Sequence, residues 1–564
     1  MAPKRDDRSS DMSRPLFLRG GDIVTMDVAS PRAEAMLVRG GRIVAVGHND
    51  EIAGDLPSGT ETVDLEGRCV VPGLIDAHAH MEREGLKDIR ISLAGARSLD
   101  DVLSRVAAAA TTTPKGEWIV TMPVGTAPFY LDGPSALAEG RLPNRGELDG
   151  VARDHAVYIM APFGTWSRVP TQAALNSLAL ERAGILQGVR ARCDGVEIAC
   201  DAQGVPNGII IEHNERPSLE FDLLKSLPGF TWRQRLEAVR RSMKVYNAAG
   251  TTSVYEGHGS YAASVGLYQR LWEERELSVR VSLTISPTWS DPHEARLVMR
   301  DWLGFARGRG LGDEWLRVSG VYIGFGGNAC TAGLVRDSLP DTGWAGFVEW
   351  CNDEEQYAAL VCLAAEFDLR VHTVILEDLG RVLPIFERLA ERYPIARRRW
   401  VMEHVGQLAP SDHQRVRRLG LIITTIPVYQ LWKNGDDYFD APNEGNEVAA
   451  HRSLLEAGIP VAIGTDNIPV SLFKTMAVTR QRRERVTGRC IGPSQRLDGL
   501  AALRTCTVEA ARLSFEEQIK GSLAPGKLAD FVILPDNPAT VDERTLETLK
   551  PEATVVDGRF VFPA

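Results

Sequence analysis

Short apolar runs that close on polar residues recur through the middle of the chain, each bracketed by a stretch of helical period. In chain order they read VPGLIDAHAH, GTTSVYEGH, LSVRVSLTI, LRVSGVYIGFG, DLRVHTV, RRRWVMEHV, LGLIITTIP and IPVAIGTDN. Runs of this length predict strands buried on both faces, as in a parallel sheet covered by helices. The intervening patterns are helical. SLDDVLSRVAAAA carries a start signal, with Ser98 three residues ahead of Asp101 as in a capping box. Eight such units predict an α/β fold, a (β/α)8 TIM barrel over residues 71–515, with its functional residues at the carboxyl ends of the strands.

The two ends of the chain follow a different pattern. LFLRGGDIVTMD and AMLVRGGRIVAVG alternate apolar and polar positions around Gly-Gly turns, and KLADFVILP and ATVVDGRFVF repeat that style near the carboxyl end, with a turn at Asp557-Gly558. Residues 15–70 and 516–564 are therefore expected to assemble one small β-sandwich from both termini. Residues 1–14 are polar and read as a disordered tail. Between the first and second runs lie roughly 170 residues, far more than the dozen or so a crossover needs. A large insertion at about 84–245 is expected to fill that gap and to lie over the barrel mouth. Its aromatics Trp118, Phe129, Tyr130, Phe163 and Trp166 are read as the insertion's own core, with substrate contact as the alternative.

Composition narrows the setting. The chain has 564 residues, 44% hydrophobic and 25% charged, enough for one large domain and a smaller one. A net charge of −11 works against nucleic acid or an anionic membrane as the main partner, and acidity alone names no substrate. The eight cysteines are scattered and contain no CxxC, so they read as reduced thiols of a cytoplasmic protein. The amino-terminal residues show no apolar stretch of the kind a signal peptide carries.

Candidate chemistry lies at the ends of the runs. His78 and His80 are two apart on a strand and so share a face. His258 follows the second run, His372 lies on the fifth, His404 ends the sixth and Asp466 closes the eighth. A barrel brings these ends to one mouth, giving the imidazoles and carboxylate that a catalytic zinc needs. Taken singly, His404 also fits a hydrogen-bonded core histidine, and Asp466 a turn residue.

On these residues the chain resembles the amidohydrolase superfamily, in the branch that includes N-substituted formamide deformylases. PGLIDAHAH resembles the first-strand signature, RVHTV and MEHV the fifth- and sixth-strand histidines, GTDNIPV the eighth-strand aspartate, and GSLAPGKLADFVIL the return to the sandwich. In the insertion RLPNRGELD, LNSLALERAGI and DAQGVPNGIIIE also resemble this branch. The resemblance covers nearly the whole chain and implies a metal-dependent hydrolase. It points loosely to a homo-oligomer.

The sequence departs from that pattern in two places. Many relatives carry a bridging carboxylated lysine on the fourth strand, where this chain has Tyr322, and no lysine occurs between Lys244 and Lys433. One zinc rather than two is therefore expected. Deaminase relatives place a glutamate three residues after the fifth-strand histidine, where this chain has Ile375. Glu256 and His258 are candidates to orient substrate or to supply an extra ligand, and Tyr322 to donate a hydrogen bond to an oxyanion or contact substrate. Cys330 lies in GGNACTAG, which reads as a loop, and TRQRRERVTGR at 479–489 reads as a solvated face.

The resulting expectation is hydrolysis of an amide-type, non-peptide C–N bond in a small molecule by metal-bound hydroxide. In it His78, His80 and His372 hold the metal, with Asp466 as general base and further ligand. His404 anchors the carbonyl oxygen and touches the metal. Ester or lactone hydrolysis or other carbonyl chemistry uses the same site, and a non-catalytic scaffold of the same fold is the reading from another class.

Overall fold

The computed structural model describes residues 14–215, 218–338 and 352–563. Cys351 and nearly all of the expected tail lie outside the described residues. The eight apolar runs form eight strands: β1 (Leu74–Ala79), β2 (Thr251–Ser260), β3 (Arg280–Ile285), β4 (Leu316–Tyr322), β5 (Val371–Val374), β6 (Val401–Glu403), β7 (Ile422–Thr425) and β8 (Val461–Ile463). Each pairs in parallel with its chain neighbour. Beyond β8, the Asp466 N–H donates to the His78 carbonyl at 2.9 Å, which carries the sheet nearly round to its start. Both faces are covered, and every residue of β1, β2 and β3 is buried.

The two ends of the chain share a sheet. Cys69–Pro72 pairs in parallel with Asp22–Val24 on one side and antiparallel with Phe531–Leu534 on the other. This six-stranded sheet packs on a four-stranded one that holds Leu16–Arg19 and Ala35–Arg39, through Leu18, Met36, Val70 and Phe531. A buried bidentate ion pair, Arg280 to Asp530 at 2.7 and 3.0 Å, ties the third barrel strand to this unit.

Between β1 and β2 stands a five-stranded sheet with Trp118–Thr121 at one edge and Val196–Cys200 at the other. Helix Trp232–Ala248 then runs into β2 and packs on helix Met81–Leu86. Gly85 makes that approach possible, because a Cβ there would lie 1.8 Å from the Ala238 carbonyl oxygen. Phe129, Tyr130, Phe163 and Trp166 are buried in one cluster with Val428, Leu431 and Ile468 of the barrel. These aromatics thus fill a core shared by insertion and barrel, and Trp118 packs at its margin. The reason is that the inserted sheet rests directly on the loops after β7 and β8.

Three sequence readings are corrected. Cys193 and Cys330 form a disulfide, so they are not reduced thiols, although Cys69, Cys200, Cys362, Cys490 and Cys506 are free. Their Cα atoms are 5.7 Å apart across a separation of 137 residues, a proximity created by the insertion and invisible in linear spacing. Cys330 also lies in helix Ala329–Ser338 and not in a loop. In the arginine-rich stretch Arg482 is fully buried and donates to the carbonyls of Ile491, Ala449 and Val448, because the chain folds back over it. Among the described residues no helix is long and apolar enough to cross a membrane.

Peptide mapping of the full-length protein without reductant is expected to give one linked peptide pair containing Cys193 and Cys330, lost on reduction. Recovery of both as free thiols from protein alkylated before any reductant would contradict the structure.

Candidate metal centre

The first-strand signature is held by its carboxylate. Asp76 is fully buried and accepts from the His78 N–H (3.1 Å), the Thr465 N–H (3.0 Å) and the Thr465 hydroxyl (2.6 Å). One side chain therefore fixes the backbone of β1 and the loop after β8 together. The His80 N–H donates to Asn467 Oδ1 at 2.8 Å, and Asn467 Nδ2 returns to the His80 carbonyl at 2.7 Å. His258, His404, Asp466 and Asn467 all have left-handed φ, between 49° and 63°. Such conformations cost non-glycine residues about 1 kcal/mol or more each, and strand ends at functional sites are where they persist.

The side chains converge. His404 Nε2 lies 3.0 Å from His78 Nε2, and His80 Nε2 lies 3.0 Å from Asp466 Oδ1. The His258 ring stands 4.9 Å from that of His78, 5.2 Å from His404 and 5.3 Å from His80. Two sets of ligand atoms each lie within 4.8 Å of one another: His78, His258 and His404, and His78, His80 and Asp466. All five residues are buried.

Electrostatics leaves these groups ready to donate lone pairs. Burial, then the neighbouring His404 and His80, hold the His78 imidazolium well below its usual range. Burial and the Arg83 guanidinium bring His80 down to about 4. Burial would raise Asp466, but the His80 hydrogen bond and Arg83 outweigh it and keep the carboxyl well below its usual range. Arg83 NH2 reaches Asp466 Oδ1 at 2.9 Å. Four imidazoles and a carboxylate crowded into one buried mouth fit a divalent cation and no apolar core.

The remaining sequence candidates are placed differently. His372 is fully buried, with Nδ1 at 3.0 Å from Glu403 Oε1 and Nε2 at 2.9 Å from the Tyr255 hydroxyl, and it belongs to neither ligand set. Glu256 accepts from the Met81 N–H at 2.9 Å and from the Tyr268 hydroxyl, and its other oxygen stands 3.9 Å from His80 Nδ1. Burial pushes Glu256 up to about 8. The Tyr322 ring is 6.1 Å from that of His258. Three contributors escaped the sequence reading: Arg83, Tyr255 and Glu403. Glu403 bridges His372 and His78 Nδ1 (3.4 Å), and only its place beside His404 hinted at it.

A model of the amidohydrolase family matches residues 61–562. The protein LONG AFTER FAR-RED 3 of Arabidopsis thaliana is 27% identical over 572 residues, covering 97% of this chain and 91% of the relative. The N-substituted formamide deformylase of Arthrobacter pascens is 25% identical over 566 residues, covering 97% and 98%. Among solved structures, an uncharacterized metal-dependent hydrolase of Pyrococcus horikoshii OT3 superposes with a TM-score of 0.66 at 20% identity, over 94% of this chain and 99% of the other.

The cover of the mouth is pinned by one lysine. Lys433, from the loop after β7, is buried and donates through Nζ to the carbonyls of Gly164, Thr165 and Ser167 at 3.0, 2.8 and 2.8 Å. Its ammonium also lies over the Tyr429 ring, which stands 6.3 Å from that of His404. Burial brings this amine down from its ordinary 10.5 to about 7, against the opposing pull of Glu215 and Asp466. Between those two values the unfolded chain keeps the proton and the folded chain has released it, so this group's contribution to stability rises with pH from about 7. Lys433→Met leaves three carbonyls without their donor and is expected to lose about 1–3 kcal/mol in urea unfolding. The wild-type advantage over it should grow between pH 7 and pH 9, by about 1.4 kcal/mol per pH unit at most. An advantage that shrinks over that range would contradict the burial of the amine.

Proposed function

The chain belongs to the amidohydrolase family, and we propose that this metal-dependent hydrolase cleaves an amide-type, non-peptide C–N bond of a small molecule. The observation that carries the reading is the convergence of His78, His80, His404 and Asp466 at one buried mouth. These residues would hold one divalent ion, zinc being the fit for imidazole nitrogens with one carboxylate. When bound, that ion supplies Lewis acidity, polarising a carbonyl and acidifying water to a pKa of about 7.

The chain's own groups divide the remaining work. Asp466, kept ionised by His80 and Arg83, takes the proton of the attacking water at its carboxylate and returns it to the leaving nitrogen. His404 anchors the carbonyl oxygen. Tyr322 donates from the fourth-strand end to the oxyanion, at the place where many relatives carry a lysine. Glu256 lies behind His80, its second oxygen 3.9 Å from Nδ1 of the ring that contacts Asp466. The site side chains are buried beside the core shared by insertion and barrel, and low access to water strengthens polar contacts of this kind.

The A. pascens relative, similar along its length, is a formamide deformylase by name, which favours N-substituted formamides as the first substrates to try. The Cys193–Cys330 bridge weighs against a reducing compartment such as the cytoplasm.

Full-length protein assayed on a panel of N-alkyl and N-aryl formamides, with matched esters and lactones, is expected to release amine from at least one formamide or small amide. Asp466→Asn should lower that turnover by about 10²–10⁴-fold. Wild-type turnover by Asp466→Asn, or activity on esters and lactones alone, would overturn the C–N reading.

A further inference from the structure

The geometry points to His258, from the end of β2, as a metal ligand in place of His372, which acts instead as a positioning residue for Glu403. This rests on the metal-dependent reading above.

A neutral imidazole has one lone pair and one N–H. In His372 both are taken inside the barrel. The tautomer that suits a Glu403 carboxylate donates Nδ1–H to Oε1 at 3.0 Å, and the Nε2 lone pair then receives the Tyr255 hydroxyl at 2.9 Å. Tyr255 is itself held, by the Arg370 guanidinium at 3.2 Å and by Ser319. The two rings stack at 5.0 Å. Turning His372 to the mouth would break both hydrogen bonds and leave Glu403 and Tyr255 buried without those partners.

His258 lies at the mouth itself. Its backbone N–H is fixed by Glu403 Oε2 at 3.2 Å, while its ring stands among those of His78, His80 and His404. Its ligand atom lies within 4.8 Å of those of His78 and His404. Two glycines make room. A Cβ on Gly257 would lie 2.1 Å from the His78 ring, and one on Gly259, whose φ is +76°, would lie 2.5 Å from the Tyr322 Cβ. The end of β2 is thus pressed between the first and fourth strand ends, with the His258 ring 6.1 Å from that of Tyr322. His372, through Glu403, steadies both the His78 ring and the His258 backbone.

The test replaces each histidine by a thiol and reads cobalt. Full-length wild type, His258→Cys and His372→Cys are loaded with Co(II), and each absorption spectrum is compared with wild type. A new thiolate-to-cobalt charge-transfer band is expected from His258→Cys and none from His372→Cys. In parallel, zinc affinity by chelator competition should weaken more than about 100-fold in His258→Ala and about 10-fold in His372→Asn, which keeps a hydrogen-bonding group beside Glu403. A band in His372→Cys, no band in metal-loaded His258→Cys, or a reversed order of affinities overturns the assignment while leaving a metal-dependent hydrolase in place. A wild type that binds neither ion overturns both.

Discussion

The seam where the chain returns from the eighth strand to the first is the constraint on which the rest of the site depends. Asp76 spans it, taking hydrogen bonds from the backbone of His78 and from both donors of Thr465, and the Asp466 N–H closes it on the His78 carbonyl. Burial pushes Asp76 up to about 7, so those three donors hold a carboxyl group that has no access to water. With the seam fixed, His78 and His80 face one way and Asp466 meets them. Gly464 records how close the approach is, since a Cβ there would lie 2.5 Å from that of His78.

Around this seam a second layer decides which histidines reach the mouth. Glu403 touches His78, His372 and the backbone of His258, and so couples the first, second, fifth and sixth strand ends. Arg83 pairs with Asp466 from the first turn of helix Met81–Leu86 and keeps an otherwise desolvated carboxylate ionised. Above these lies the inserted sheet, held against the barrel by an aromatic core and by Lys433. Tight packing below and a fixed cover above together provide the preorganised, water-poor setting in which a Lewis acid and a carboxylate are most effective.

The barrel was legible because its strands are buried on both faces, so each writes a continuous apolar run ending where the chemistry begins. His78, His80, His404 and Asp466 were legible for the same reason, as polar residues at the ends of such runs. The orientation of His258 and His372 was not. It depends on Gly257 lying on the His78 ring and on Tyr255 lying against His372, contacts between residues more than a hundred positions apart. Linear spacing also hid the Cys193–Cys330 bridge and the burial of Arg482, both made by segments that meet only after the insertion and the loops have folded. Periodicity reports which face of an element is buried, and a network of polar contacts between distant elements leaves no period to read.

The central claim is that this mouth is built around a divalent ion. X-ray absorption at the zinc edge, with elemental analysis on full-length protein purified without chelator or affinity metal, tests it most directly. The account predicts about one ion per chain with a first shell of nitrogen and oxygen at about 2.0–2.2 Å and no sulfur. Protein that is folded yet takes up no stoichiometric divalent ion, or an ion bound through sulfur, would contradict it.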